Sequence, residues 1–151
     1  MKQAPEREPG AQPIRNNTFL TPTGMKRVLE IKKFLRLSGR RDDALAFTRV
    51  ALQELAKGPG FLKALRQQKE AEMVEPASVP RVSYFLPAAL ASHLRDLVTY
   101  ALVEADISTR DSEIIRLALN KVELNQRFLE LFDEDKRASN ANRNRARNEA
   151  E

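Results

Sequence analysis

The sequence predicts a mostly helical protein built on a short β-strand followed by two helices, a unit that the chain carries once or twice. Three observations lead to this fold class. Residues 81–86 alternate apolar and polar side chains, which is typical of a strand with one buried face. Residues 88–105 and 112–122 carry apolar residues at helical spacing. Similar helical spacing recurs in the first half, so both halves have the same predicted order of elements.

The first half begins with a segment that favours disorder. Residues 1–13 contain three prolines and, after the first residue, no large apolar side chain. Residues 14–71 are predicted to form a basic helical unit that opens with a weak strand candidate at 16–21. Aspartate caps and glycine breaks divide the rest of this unit. Its helices are predicted at 25–37, from Asp42 or Asp43 to about Lys57, and, after Gly58-Pro59-Gly60, at 61–71.

The second half is predicted as a separate unit, residues 81–135, joined to the first by a proline-containing linker at 72–80. Its strand directs Val82, Tyr84 and Leu86 to one side. The following helix carries an apolar stripe: Leu90, Leu94, Leu97, Val98, Ala101 and Leu102. The next segments are a turn at 106–111, a helix capped by Asp111 or Ser112, and an extra helix at 125–132. The basic tail 136–151 has only alanine as apolar content, which predicts disorder.

Composition and charge exclude several functional classes. The formal net charge is +5, and residues 14–70 carry thirteen Lys and Arg against five Asp and Glu, which favours a polyanionic partner. The chain has no cysteine, no apolar run long enough to cross a membrane and no signal-peptide pattern, so we expect a cytoplasmic protein. His93 is the only histidine, and no catalytic motif is present. We therefore expect no enzyme activity, metal site or cofactor.

Matching segments in the two halves point to an internal repeat. Arg49-Val-Ala-Leu52 matches Arg116-Leu-Ala-Leu119, and Phe61-Leu62 matches Phe128-Leu129, each 67 positions later. In the strands, Phe19 is aligned with Tyr84. Two hypotheses remain open. The strand at 16–21 can pair antiparallel with 81–86 within one chain, as an intrachain pseudo-dimer. Alternatively, the first half is an unrelated helical domain and two chains pair through 81–86 as a homo-oligomer.

The second half resembles the ribbon-helix-helix DNA-binding family. The resemblance rests on Arg81-Val-Ser-Tyr-Phe-Leu-Pro87, Ile107-Ser108 and Ser112-Glu-Ile-Ile-Arg-Leu-Ala-Leu119. It implies a β-ribbon that reads the major groove of double-stranded DNA. A tandem arrangement is similar to that of DNA-processing factors of conjugative plasmids. The roles that the resemblance implies are transcriptional repression, plasmid partition and conjugative DNA processing.

The same resemblance assigns candidate DNA-binding residues. The outward strand residues Arg81, Ser83 and Phe85 would read bases, joined in the tandem arrangement by Asn16 and Thr18. The N-terminus of the second helix would grip a phosphate, although plain capping explains its hydroxyl residues equally well. Those residues are Thr109 and Ser112. A cluster in the first half could line a phosphate track or form a solvated helix face. It includes Lys26, Arg27, Arg40 and Arg41.

Two other functional classes remain open. An antitoxin or adaptor would bind a partner protein through residues 124–135, using Phe128, Leu129 and Phe132 beside acidic side chains. An RNA-binding factor would use the arginine-rich segments.

Overall fold

A computed structural model of the protein describes residues 12–150. The described residues form two strands and six helices, so the mostly helical class is confirmed. In chain order they are β1 (Ile14–Leu20), α1 (Pro22–Leu37), α2 (Ala44–Glu54), α3 (Pro59–Val74), β2 (Val79–Leu86), α4 (Ala88–Ala105), α5 (Asp111–Lys121) and α6 (Gln126–Ala150). The order strand, helix, helix, helix therefore occurs twice. The disorder predicted for residues 1–13 falls almost entirely outside the described residues.

The two strands pair with each other and form an antiparallel ribbon. The register joins Ile14 to Leu86 and Thr18 to Val82, with an irregularity between Thr18 and Leu20. The strand predicted at 81–86 thus finds its partner within the same chain, as the first of the two pairing hypotheses required.

On β1, the residues that face the core are not the ones that were predicted. Val82, Tyr84 and Leu86 are buried, as predicted. On β1, however, Thr18 is buried and Phe19 is 51% exposed. The alignment of Phe19 with Tyr84 is therefore wrong by one residue, and a one-residue slip moves every side chain of a strand to the opposite face. The observed register is favoured because it buries Leu20 and leaves Asn17 exposed, whereas the predicted alignment would turn Asn17 toward the core.

Local capping explains where α1 and α2 begin. α1 begins earlier than predicted because Thr21 Oγ1 accepts a hydrogen bond from the Gly24 N–H, and Pro22 suits the first helical turn. Gly39, at a φ of 77°, follows the end of α1. The predicted aspartate cap of α2 is Asp43. At α5 the predicted cap by Asp111 or Ser112 is wrong, since the N-cap position is Arg110 and makes no side-chain cap.

Both halves contribute to one hydrophobic core. The ribbon covers one side of it, and α2 packs directly against α5. The most deeply buried members come from both halves and include Ile31, Leu35, Phe47, Leu52, Leu65, Leu94, Leu97, Ile114 and Ile115. The predicted stripe of α4 is largely confirmed, but Leu102 at its end is exposed. Because their side chains share this core, the two predicted units are not independent in packing.

Two segments predicted as irregular are more ordered than expected. α3 continues to Val74 and β2 begins at Val79, so the linker predicted at 72–80 shrinks to the residues between them. α6 continues to Ala150, where residues 136–151 were predicted to be a disordered tail. A helix extends at little cost once its first turns are packed, and Lys136 and Ser139 both bond to α2 or its cap. No described helix combines the length and apolar character that a membrane span requires.

Candidate nucleic-acid interface

Six side chains form the outward face of the ribbon, which we call the ribbon face. Strand alternation places residues two apart on the same side, and the register pairs Arg15 with Phe85 and Asn17 with Ser83 across the ribbon. The members are Arg15, Asn17 and Phe19 on β1 and Arg81, Ser83 and Phe85 on β2. Phe85 is half-buried and the other five are exposed. The predicted outward orientation of Arg81, Ser83 and Phe85 is confirmed.

Arg15 and Asn17 are members of the ribbon face that the sequence-based assignment missed. Arg15 lies opposite Phe85, and its guanidinium carbon is 5.3 Å from the centroid of the Phe85 ring. A cation over an aromatic face is attracted by the ring quadrupole. Phe85 therefore helps to hold the Arg15 guanidinium in place, whether or not Phe85 itself contacts a ligand. The signal in the sequence was the spacing Arg-x-x-x-Phe-Leu, which occurs at 15–20 and again at 81–86.

Thr18 and Asn16 do not belong to the ribbon face, contrary to prediction. Thr18 is 2% exposed, and its hydroxyl accepts a hydrogen bond from Arg116 Nη1 at 3.0 Å. Thr18 therefore fixes the ribbon to α5 from inside. Asn16 is exposed but alternates with Arg15 and Asn17, and its Oδ1 accepts the Asn17 N–H at 2.8 Å. The one-residue difference between the predicted and the observed register of β1 places Asn16 and Thr18 on the inner side of the ribbon.

Arg116 connects three elements beneath the ribbon. Its Nε and Nη2 donate to the Glu72 carboxylate on α3 at 2.8 and 2.7 Å, while Nη1 reaches β1 at Thr18. The side chains of Arg116 and Glu72 are only 11% and 16% exposed. A bidentate pair of this kind has little freedom, so it holds β1, α3 and α5 in one arrangement.

Tyr84 fills the space directly under the ribbon. Its side chain is buried, and burial, reinforced by the negative charge of Asp111, raises the pKa of the phenol above its ordinary value. Tyr84 therefore stays neutral at physiological pH and adds no charge to the interface.

The N-terminus of α5 supplies one flank of the ribbon. Lys69, Arg110, Ser112 and Arg116 line a surface hollow at this end, together with Glu113, which Lys69 contacts at 2.9 Å. Arg110 is exposed and Ser112 is half-buried.

The Thr109 hydroxyl oxygen is fully enclosed and has no hydrogen-bond partner among the described residues. The predicted contact between Thr109 and a phosphate is therefore not open to a ligand.

The N-terminus of α2 supplies the other flank and differs in charge. The Asp43 carboxylate accepts the N–H groups of Leu45 and Ala46 and lies 2.7 Å from Lys136 Nζ. Burial alone would raise the pKa of Asp43, but the hydrogen bonds from Lys136, Ala46 and Leu45 outweigh it, and the pKa is lowered. A carboxylate already occupies the position where a phosphate would bind on this flank.

The basic cluster of the first half is partly committed to the protein itself. Arg27 donates to the carbonyl oxygens of Leu119 and Val122. Arg40 makes a two-point contact with Asp133 at 3.0 and 2.7 Å, and this hydrogen bond raises the pKa of Arg40 and lowers that of Asp133. The structure thus gives Arg27 and Arg40 structural roles in place of the predicted phosphate contacts. Lys26 and Arg41 remain exposed.

The surface proposed for a protein partner at 124–135 is not available as predicted. Phe128, Leu129 and Phe132 are buried in the core. Of the acidic residues beside them, Asp133 is bound to Arg40, and Asp135 is bound to Arg49. The apolar side chains that would anchor a partner therefore stabilise α6 against the rest of the protein.

His93, the only histidine in the sequence, makes a contact with the backbone of another helix. His93 Nε2 lies 2.7 Å from the Leu55 carbonyl oxygen, so it caps the end of α2. In the part of the chain that the structure describes, no group of three or more His, Cys, Asp or Glu residues is arranged to hold a metal ion.

No protein-family model, curated protein or solved structure matches this chain.

Proposed function

We propose that the protein binds double-stranded DNA in a sequence-specific manner, with the ribbon face in the major groove. The observation that carries the proposal is the composition of this face. It presents two arginines, an asparagine and a serine beside two aromatic rings, and no carboxylate. A two-stranded ribbon fits the major groove, where arginine recognises guanine and asparagine recognises adenine through paired hydrogen bonds.

We further propose that the chain is a tandem ribbon-helix-helix protein whose two halves take the places of two subunits. Contacts between the halves support this reading because they occur in matched pairs. Arg27 on α1 bonds to Val122 at the end of α5, and His93, 66 positions after Arg27, bonds to Leu55 at the end of α2. Both first helices therefore cap the second helix of the other half.

A second matched pair of contacts supports the same reading. Arg116 on α5 binds Glu72 on α3, and Arg49, 67 positions earlier on α2, binds Asp135 on α6. Each arginine joins the second helix of one half to the third helix of the other. Such reciprocal contacts are expected of an isologous interface, in which the same surface is used twice.

The biological roles that fit this activity all depend on marking a DNA site: repression of transcription, plasmid partition, or assembly of a DNA-processing complex in conjugation. None requires the protein to catalyse a reaction. The two exposed arginines of the ribbon face supply specificity in this proposal. The phosphate contacts come from Ser112 and Arg110 at the N-terminus of α5, and from the exposed Lys26 and Arg41.

The test is selection of bound duplexes from a random pool, followed by affinity measurements over a range of salt concentrations. Specific binding should persist at salt concentrations that remove non-specific binding. Arg81→Ala and Ser83→Ala should each bind the selected site with less discrimination while keeping the parent's thermal stability. Arg66→Ala, which removes an exposed arginine outside the ribbon, is the control and should discriminate as the parent does.

Two outcomes would overturn the proposal. One is parental discrimination by both Arg81→Ala and Ser83→Ala, because the ribbon would then not be the reader. The other is stronger binding to duplex RNA of the selected sequence than to duplex DNA, because the narrow major groove of RNA does not admit a ribbon.

A further inference from the structure

The ribbon face has an approximate two-fold symmetry that can be derived from its register. Arg15 corresponds to Arg81 and Phe19 to Phe85, in each case 66 positions later. Asn17 corresponds in the same way to Ser83, and these two residues are also directly paired across the ribbon. A pair whose members are both equivalent and opposite lies on the symmetry axis. The axis therefore passes between Asn17 and Ser83.

The two arginines lie at opposite ends of the ribbon face. Each is two residues from the central pair, on its own strand. Since a strand rises about 3.4 Å per residue, the arginines are about 13 Å apart along the ribbon, which corresponds to roughly four base-pair steps of DNA. The aromatic residues are equivalent as well. In the types of side chain that they present, the two halves of the ribbon face thus differ only at the centre, where one strand has asparagine and the other has serine; the register irregularity between Thr18 and Leu20 lies toward the Arg81 end.

Building on the proposed function, we propose that the target is a duplex with two like arms and an asymmetric centre, and that Asn17 and Ser83 determine how the protein is oriented on it. The arms each present a guanine to Arg15 or Arg81, at a separation of roughly four base pairs. At the centre, the side-chain amide of Asn17 accepts one hydrogen bond from an adenine on one strand and donates another to it. Ser83 makes a less selective contact with the other strand.

The flanks cannot determine this orientation at the level of base sequence. The N-terminus of α5 carries Arg110, whereas the N-terminus of α2 carries Asp43, so the flanks differ in charge. Contacts at helix N-termini are made with phosphates, which are the same for every sequence. The stacking of Arg15 on Phe85 changes the position of one arginine but not the base that an arginine recognises. Among the types of side chain that would read bases, the central pair is the remaining difference.

Two variants make the ribbon face symmetric: Asn17→Ser and Ser83→Asn. Both exchange exposed polar side chains, so the fold should be unchanged, and denaturation by urea verifies this for each variant. Duplexes are selected with the parent and with each variant. The parent should select like arms around a centre that lacks two-fold symmetry. Ser83→Asn should select a centre with adenine on both strands, and Asn17→Ser should lose the adenine preference, each by about five- to a hundredfold in relative affinity.

Orientation is read by a second measurement on the parent's selected site. The chain has no cysteine, so Gln12→Cys, just before β1, places a DNA-cleaving reagent at one position. With the parental ribbon face the reagent should cut on one side of the site. With Asn17→Ser added, it should cut on both sides about equally, because the two orientations then make the same base contacts.

The outcomes separate this inference from the proposed function. Selection of no duplex at all overturns both. Selected duplexes with unlike arms, or cleavage that stays on one side with Asn17→Ser, would show that the protein is a DNA reader whose polarity is set elsewhere, and so would overturn the inference alone. Like arms together with cleavage on both sides in Asn17→Ser support it.

Discussion

The Nε2 atom of His93 on α4 lies 2.7 Å from the carbonyl oxygen of Leu55, the C-cap residue of α2. Arg27 makes the matching contact from α1, donating to Leu119 and Val122 at the end of α5. The last carbonyls of a helix have no partner within the helix itself. Each half of the chain therefore satisfies the C-terminus of the other half's second helix, so side-chain-to-backbone hydrogen bonds join the two halves in addition to their shared core.

Replacing His93 should destabilise the protein through this contact. His93→Ala leaves the partly buried Leu55 carbonyl without its donor, and we expect a loss of about 1 kcal/mol in the free energy of unfolding. Urea denaturation measures it. Ser92→Ala, at the exposed neighbouring position of α4, is the control and should change stability by less than about 0.5 kcal/mol. Equal stability of the two variants would show that the contact between His93 and Leu55 does not stabilise the protein.

The pair Arg116–Glu72 should contribute far more to stability than a solvated ion pair. Because both side chains are largely buried, Glu72→Ala leaves a buried guanidinium uncompensated, at a cost of about 3 kcal/mol. A double-mutant cycle with Arg116→Ala should give a coupling energy above about 1.5 kcal/mol. The pair Lys57–Asp96, which is 46% and 53% exposed, serves as the control and should give less than about 1 kcal/mol. Similar coupling in both cycles would contradict this prediction.

Stability should fall in acid partly through Asp43. Its pKa is lower in the native protein than in the unfolded chain, so the native state favours the ionised form. The resulting stabilisation is fully present above about pH 5 and is lost as the pH falls through the lowered native pKa. Asp43→Asn keeps a capping side chain but cannot ionise. The stability difference between parent and Asp43→Asn should therefore be larger at pH 7 than at pH 3, as measured by urea denaturation. A difference that does not change with pH would contradict the assignment.

The end of α6 should contribute to DNA affinity through charge alone. α6 passes beside the ribbon, where Lys136 and Ser139 line the same surface hollow as Arg15 and Phe85. The segment 142–151 follows and contains three arginines. Deleting it should lower the slope of log affinity against log salt concentration by about two to three, without changing the selected sequence. Arg40→Ala is the control. It should leave the slope unchanged because its guanidinium is bound to Asp133.

The sequence alone could identify those parts of the fold that depend on local patterns. The bounds of α4 agree with prediction because its apolar stripe and the flanking Pro87 are local signals. The alternation of β2 likewise predicted which residues face outward. On β1 the pattern is weak, since Asn16, Asn17 and Thr18 carry little apolar contrast, and the prediction was wrong by one position.

The candidate interface could be predicted only in part for the same reason. Arg81 and Ser83 follow from the alternation of one strand, whereas Arg15 and Asn17 follow only from cross-strand pairing. Whether an arginine is free or committed depends on residues far away in the chain. Arg27 meets carbonyls more than ninety positions later, and Arg40 meets Asp133 at a similar separation.

By itself, the sequence determined the helical class, the strand that carries Arg81 and Ser83, and the repeated order of elements, because periodicity and capping act over a few residues. Only the tertiary structure decided which face of β1 is buried, which basic side chains remain available to a ligand, and which residues pair across the ribbon. The physical reason is that these properties depend on pairing and burial between segments distant in the chain. A local sequence pattern contains no information about the distant residues with which it pairs in the folded protein.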